Sequence, residues 1–172
     1  MINELTNNDE LTSNNELASN NEPQAMLKFL LGANEGDIMY AIYSAYANKI
    51  TGKETGQGFD VDKDGYLPIC YNAITGFTGL LPDTVRGVIG RLIKKGLLQK
   101  KPGNKETNNI PLYKPVLESS VFIELANERL KTPPKNKLNK KSEERFIPEI
   151  IKILQGDSNI LVALGIIERS DD

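Results

Sequence analysis

YLPICYNAITGFTGLLPDTVRGVIGRLIKKGLLQKKPGNKETNNIPLYKPV, residues 66–116, is the stretch around which the rest of the chain is organised. Ile69, Ala73 and Ile74 give it a short opening helix with an apolar stripe, Tyr71 and Asn72 pointing outward. Residues 75–79, Thr-Gly-Phe-Thr-Gly, then supply a turn, because glycine permits the positive φ at which a chain reverses within a few residues. Leu80 falls at the corner. Pro82 suits the first position of the next helix, where a missing N–H costs nothing, and Asp83 suits the positive end of its dipole. Val85, Val88, Ile89, Leu92 and Ile93 recur at helical spacing and face a core, and Gly96 stops the helix. A strand begins at residues 97–101, residues 102–109 form a polar hairpin tip, and residues 110–116 return. Pro111 and Pro115 mark that returning arm as an edge strand with limited pairing.

The outward face of the helix over residues 82–96 carries Thr84, Arg86, Gly87, Gly90, Arg91 and Lys94. Arginine can bond bidentately to guanine O6 and N7, threonine can meet base edges or phosphate, and glycine lets a helix lie close in a groove. Each of the two glycines costs the helix about 1 kcal/mol relative to alanine, so they imply a need for closeness, to DNA or to a neighbouring helix. Lys100, Lys101 and Lys105 lie where the hairpin would meet the minor groove or the backbone. The charge distribution agrees. Residues 86–114 carry Arg86, Arg91, Lys94, Lys95, Lys100, Lys101, Lys105 and Lys114 against Glu106 alone, although the whole chain has 21 basic and 23 acidic residues. Residues 1–35 have the opposite bias, six carboxylates against Lys28. Phosphate binding needs local positive potential rather than a high overall charge.

The segment TGLLPDTVRGVIGRLIKKGLL resembles the recognition helix of winged helix-turn-helix DNA-binding proteins, in which a Thr-Val pair opens the helix and a Lys-Lys-Gly-Leu-Leu-like end leads into the wing. The preceding DGYLPICYNAI is similar to the strand and second helix of the same family, in the version found among bacterial, phage and plasmid regulators and replication proteins. The resemblance covers residues 36–117. It departs at Leu81, where the family often has a Ser or Thr cap. It implies a mainly α fold with a small β-hairpin wing (α+β), with DNA-facing positions at Thr84, Arg86, Gly87 and Arg91.

Outside this region, residues 4–21 are three tandem hexapeptides, ELTNND, ELTSNN and ELASNN. One leucine per repeat buries too little to offset ordering, so residues 1–22 read as a disordered acidic tail. Residues 23–35 hold a short helix with Met26, Leu27, Phe29, Leu30 and Leu31, ended by Gly32. So much apolar surface on two turns suggests a contact with another subunit or with the C-terminal region, with packing on its own domain as the alternative. Asn34 or Asp37 then caps a helix through about Lys49, with Ile38, Met39, Ile42, Tyr43 and Tyr46 at helical spacing. Residues 51–58 are a glycine-rich loop without a phosphate-binding motif. Asp60, Asp62, Asp64 and Gly65 match the start of a calcium loop, but the twelfth position is Tyr71 instead of a bidentate glutamate. A β-turn with Gly65 at positive φ, leaving Tyr66 and Leu67 as a short strand, is the better account.

Residues 118–172 are expected to be C-terminal helices with a basic linker. Residues 119–131 form an amphipathic helix with Val121, Phe122, Leu125, Ala126 and Leu130 inward. Residues 132–142 are the linker. Phe146, Ile150, Ile151, Ile153 and Leu154 mark one short helix, and Ile160, Leu161, Val162, Leu164, Ile166 and Ile167 a second, together a helical hairpin that dimerises or docks a partner.

The chain has no His and one Cys, which removes the usual general base, the commonest zinc ligand and any intrachain disulfide. Cys70 reads as a small buried hydrophobe. The expectation is therefore a non-enzyme without cofactor or metal, cytoplasmic, with no membrane span. Its partner would be double-stranded DNA, bound by a homodimer acting as a transcriptional regulator. A replication-initiation or partition protein of a mobile element, and a winged-helix protein adaptor, are the alternatives.

Overall fold

The computed structural model describes residues 22–51, 61–131 and 137–168. The acidic repeats, most of the glycine-rich loop, Asp60 and the first half of the basic linker lie outside the described residues. The chain is mainly helical with one small antiparallel sheet. In order it forms α1 (Glu22–Leu31), α2 (Ala33–Thr51), β1 (Leu67–Pro68), α3 (Tyr71–Thr78), α4 (Pro82–Lys94), β2 (Leu98–Lys101), a 3-10 turn (Lys105–Thr107), β3 (Leu112–Pro115), α5 (Ser119–Lys131), α6 (Lys137–Leu154) and α7 (Ile160–Ala163).

Helices α1 and α2 are joined at a single residue, Gly32, whose φ of 107° lets the chain turn without a loop. Their crossing is close at Gly36, where a Cβ would sit 2.3 Å from the Lys28 Cα. Lys28 also pairs with Asp37 at 3.7 Å, and Gln24 donates to the same carboxylate at 2.9 Å. Met26, Leu27, Leu30 and Leu31 are buried in the common core, and Arg129 of α5 donates to the Leu30 carbonyl. Much of the apolar surface of α1 is thus covered within its own chain, in part by the C-terminal region.

The sheet order is β1-β3-β2, so the returning arm of the hairpin is the central strand, not an edge. Its prolines permit this. Pro111 precedes the ladder, where its carbonyl accepts from Ile69, and Pro115 ends it opposite Leu98. β1 pairs with β3 (Leu67 opposite Tyr113) rather than with residues before the turn. The turn itself is as expected: Gly65 has φ 89° and donates to the Asp62 carbonyl, while the Asp62 carboxylate accepts from the Asp64 and Tyr66 amides at 2.9 Å each.

The C-terminal elements differ most from expectation. Phe122 and Ala126 of α5, Ile147, Ile150 and Leu154 of α6, and Ile160, Leu161 and Leu164 are buried in the same core as α1, α2 and α4. Leu130, expected inward, is exposed. Helix α6 is continuous from within the expected linker, with Pro148 inside it. Burial of Ile147 and Ile150 on either side of the proline offsets the lost backbone bond. α6 packs on α5 rather than forming a hairpin with the four-residue α7. α7 is tied down by the Asn159 cap to the Leu161 amide, by Ile160 donating to Leu117, and by the Ser119 hydroxyl donating to Asp157. The Phe29 and Phe146 rings meet edge-to-face at 6.0 Å, joining α1 to α6. Apolar surface expected to dimerise is therefore buried inside the chain, and the argument for a dimer from these helices lapses.

Candidate nucleic-acid interface

Of the five residues that the sequence assigns to the turn between α3 and α4, the first four, Thr75 to Thr78, belong to α3. Gly76 is inside α3, and the residue that ends the helix is Gly79, with φ 75° and its amide bonded to the Thr75 carbonyl. Thr78 explains the shift: its hydroxyl donates to the Ile74 carbonyl at 2.8 Å and accepts from the Leu80 amide at 3.2 Å. It closes the last turn of α3 and starts the loop in one residue. Leu80 packs on the core as expected.

Leu81, the cap residue just before α4, is extended (ψ 150°) and supplies no side-chain cap. Val85, Val88, Ile89 and Leu92 are buried, but Ile93, expected inward, is 37% exposed at the margin of the stripe. The helix ends at Lys94 in a Schellman arrangement. Gly96 donates to the Ile93 carbonyl and Leu97 to the Leu92 carbonyl, both at 3.0 Å, with Gly96 at φ 77°. This closure leads directly into β2 and fixes the hairpin beside α4.

Opposite the buried stripe run Asp83, Gly87, Gly90 and Lys94, spaced i, i+4, i+7 and i+11 along one row. A Cβ on Gly90 would meet nothing within 4 Å, and one on Gly87 only the Arg91 guanidinium at 3.8 Å. Neither glycine is required by packing inside the chain, in contrast to Gly36.

The basic residues flanking this row divide into two groups. Arg91 leans away to α2, its Nε 3.2 Å from Glu35, which also accepts from Lys95 at 2.7 Å. Glu35 is buried, so these two cations neutralise a carboxylate that would otherwise be costly and lock α4 against α2. Arg86 leans to the other side, 3.6 Å from Asp83 and with its guanidinium 5.9 Å from the Tyr71 ring centroid. Lys100 of β2 donates to the Tyr71 hydroxyl at 3.1 Å and lies over the Tyr71 and Tyr113 rings. Arg86, Tyr71 and Lys100 thus form one cationic–aromatic cluster bridging α4, α3 and the hairpin.

Burial opposes ionisation of Tyr71, but the neighbouring Tyr113 hydroxyl, the Lys100 ammonium and the Arg86 charge outweigh it and lower its pKa. Burial raises that of Tyr113. The Tyr113 hydroxyl has no hydrogen bond of good geometry, so the two phenols influence each other through proximity.

Lys101 is committed to the turn, with its ammonium 2.7 Å from Asp62 and 4.4 Å from the Tyr66 ring centroid. That hydrogen bond, then the Tyr66 amide, hold the Asp62 carboxyl down at about 2. Lys105 is exposed in the 3-10 turn at the hairpin tip, which is built by reciprocal bonds between Asn104 and Thr107. Gly103 is needed there, since a Cβ would sit 2.3 Å from the Ile110 carbonyl oxygen. Thr84 is half-buried and Lys94 is exposed.

Of the nine sequence-derived candidates, the fold gathers Arg86 and Lys100 into one cluster and aligns Gly87, Gly90 and Lys94. Arg91 and Lys101 are tied to carboxylates. Sequence reasoning set Tyr71 outward without a role, and missed Glu35 and Tyr113 as partners, because each acts on residues in other elements with no local pattern. Among the described residues no group of three or more His, Cys, Asp or Glu side chains is disposed to hold a metal ion. No helix among them is long and apolar enough to cross a membrane. No family model matches the chain, and searches of curated proteins and of solved structures return no match.

Proposed function

We propose that the chain is a sequence-specific double-stranded DNA-binding protein of winged helix-turn-helix type, in which α4 enters the major groove and the β2–β3 hairpin acts as the wing. The order of α2, α3, the turn at Gly79, α4 and the hairpin supports this reading, and so does the three-stranded sheet made by a short strand before α3. The observation that carries it is the bare row on α4. Gly87 and Gly90 each cost the helix about 1 kcal/mol, and among the described residues only the Arg91 guanidinium, 3.8 Å from where a Gly87 Cβ would sit, comes near the space they leave. An exposed, side-chain-free strip flanked by Arg86, Lys94 and Lys100 suits a helix that must lie against a polyanion.

Phosphate contacts would come from Arg86, Lys94, Lys100 and Lys105, with Lys101 available when its bond to Asp62 opens. Arg91 acts chiefly through Glu35, orienting α4 on α2. Base contacts from Arg86 to guanine and from Thr84 to a base edge or phosphate are compatible with their chemistry. Such a module serves a transcriptional regulator or a replication or partition protein equally. The pattern of sites separates them: a single operator near a promoter against iterated repeats at an origin.

The test is selection of bound duplexes from a random DNA pool by the full-length chain at low salt. Enrichment of one motif, lost on competition with the same motif unlabelled but not with a scrambled duplex, supports the proposal. A pool that emerges without enrichment rejects it.

A further inference from the structure

Resting on that reading of α4, we infer that Leu81 is a specificity-determining residue that reads the 5-methyl group of thymine in the major groove. Leu81 is the most exposed large apolar side chain among the described residues, at 73%. Phe77, next at 56%, rests against the Tyr40 ring of α2, its centroid 6.1 Å away. Leu81 lies outside the core and occupies the cap of α4, where no side chain bonds the first amides of the helix. A leucine here has two costs. It exposes apolar area, and it forgoes the side-chain oxygen that Ser, Thr, Asp or Asn would offer those amides.

The setting selects the occupant. A single projecting isobutyl group beside exposed Pro82 and Asp83 is far smaller than the roughly 800 Å² per partner that a stable protein interface buries. Asp83 beside it is paired with Arg86 at 3.6 Å, and farther along the same exposed face come the bare glycine row and Lys94, so the face as a whole carries more cations than carboxylates, which favours a polyanion over an apolar protein partner. Among the groups a DNA major groove presents, the thymine methyl is the one apolar feature. It projects into the groove, where the first residues of an inserted helix reach base edges. Leu81 therefore gives the domain a contact to A·T pairs that its cations cannot make.

The experiment uses the duplex enriched by the full-length chain, with thymines replaced one at a time by deoxyuridine, which lacks the methyl and keeps the base pair. At one or two positions wild type is expected to lose about fourfold in affinity, the equivalent of one buried methyl-sized group. Leu81→Ser restores a capping oxygen, so it should melt no lower than wild type. It should also bind thymine and deoxyuridine duplexes equally at those positions. Leu81→Met should keep the discrimination.

A wild type indifferent to every thymine methyl overturns the inference while leaving DNA binding intact, as does a Leu81→Ser variant that keeps the full penalty. Loss of self-association in Leu81→Ser with unchanged thymine discrimination assigns the side chain to a second copy of the chain instead. Absence of binding to any duplex removes the DNA reading itself, and this inference with it.

Discussion

Gly90→Leu and Gly90→Ala put a side chain where the chain leaves open space, at a helical position remote from the core. Alanine recovers about 1 kcal/mol of helix propensity, and leucine, a slightly weaker helix former, about 0.8 kcal/mol. In a domain of this size either gain corresponds to a melting temperature higher by about 2–4 °C. Binding should move the other way. Leucine fills the strip between Gly87 and Lys94 and holds α4 off the groove, so affinity for the selected duplex should fall at least about tenfold, or ~1.4 kcal/mol. Alanine should show the same sign with a smaller loss. Neither substitution alters charge, so electrostatic changes cannot mimic the effect. Unfolding followed by circular dichroism and titration of a labelled duplex by fluorescence anisotropy give both quantities on one preparation. A stabilised leucine variant with undiminished affinity refutes the assignment of this row to DNA, and a destabilised alanine variant refutes the claim that the space is empty.

Gly36→Ala should have the opposite effect on folding, because its Cβ would overlap the Lys28 backbone. A loss of about 3 kcal/mol in urea unfolding is expected, and a neutral result would mean the α1–α2 crossing is looser than described. Arg91→Ala with Lys95→Ala leaves Glu35 buried without its two cations and should cost about 3 kcal/mol, with Glu35→Gln in the same background recovering much of it. Unchanged stability in the double variant would show that the pairs do not form. Asp62 titrates at about 2, below its ordinary 3.8, so its contribution is complete above pH 4 and disappears as pH falls toward 2. Asp62→Asn should flatten the acid limb of stability between those values; an unchanged limb would contradict the Lys101 bond. By releasing Lys101 the same variant should steepen the salt dependence of DNA binding by about one unit.

Local features were legible in the sequence, and long-range ones were not. The buried stripe Val85, Val88, Ile89 and Leu92 follows from 3.6-residue spacing, and the turn at Gly65 from Asp-Gly chemistry. The sequence assigned residues 75–79, with two glycines, to the turn, whereas the helix runs on through Gly76 to end at Gly79. The Thr78 side chain closes the last helical turn, and its hydroxyl bonds have no sequence signature. Pro111 and Pro115 suggested an edge strand because a proline lacks a ladder donor, yet one precedes β3 and the other occupies its last position, where the donor is not needed. The C-terminal helices looked too apolar to stand alone, which is true of each in isolation. What periodicity could not reveal is that α1, α5, α6 and α7 cover one another. In the candidate site the outward residues of α4 were identifiable, but their division was not. Arg91 and Arg86 lie on opposite flanks, and only the folded position of Glu35 shows that Arg91 is taken up in holding the helix.

The most direct test of sequence-specific DNA binding is the affinity of the full-length chain for its selected duplex and for a scrambled one, measured across a series of salt concentrations. With Arg86, Lys94, Lys100 and Lys105 as the phosphate contacts, log affinity should fall with log salt at a slope of about −3 to −4 per chain, and the selected duplex should bind tighter throughout. Equal affinities for the two duplexes, or an affinity indifferent to salt, would contradict the account.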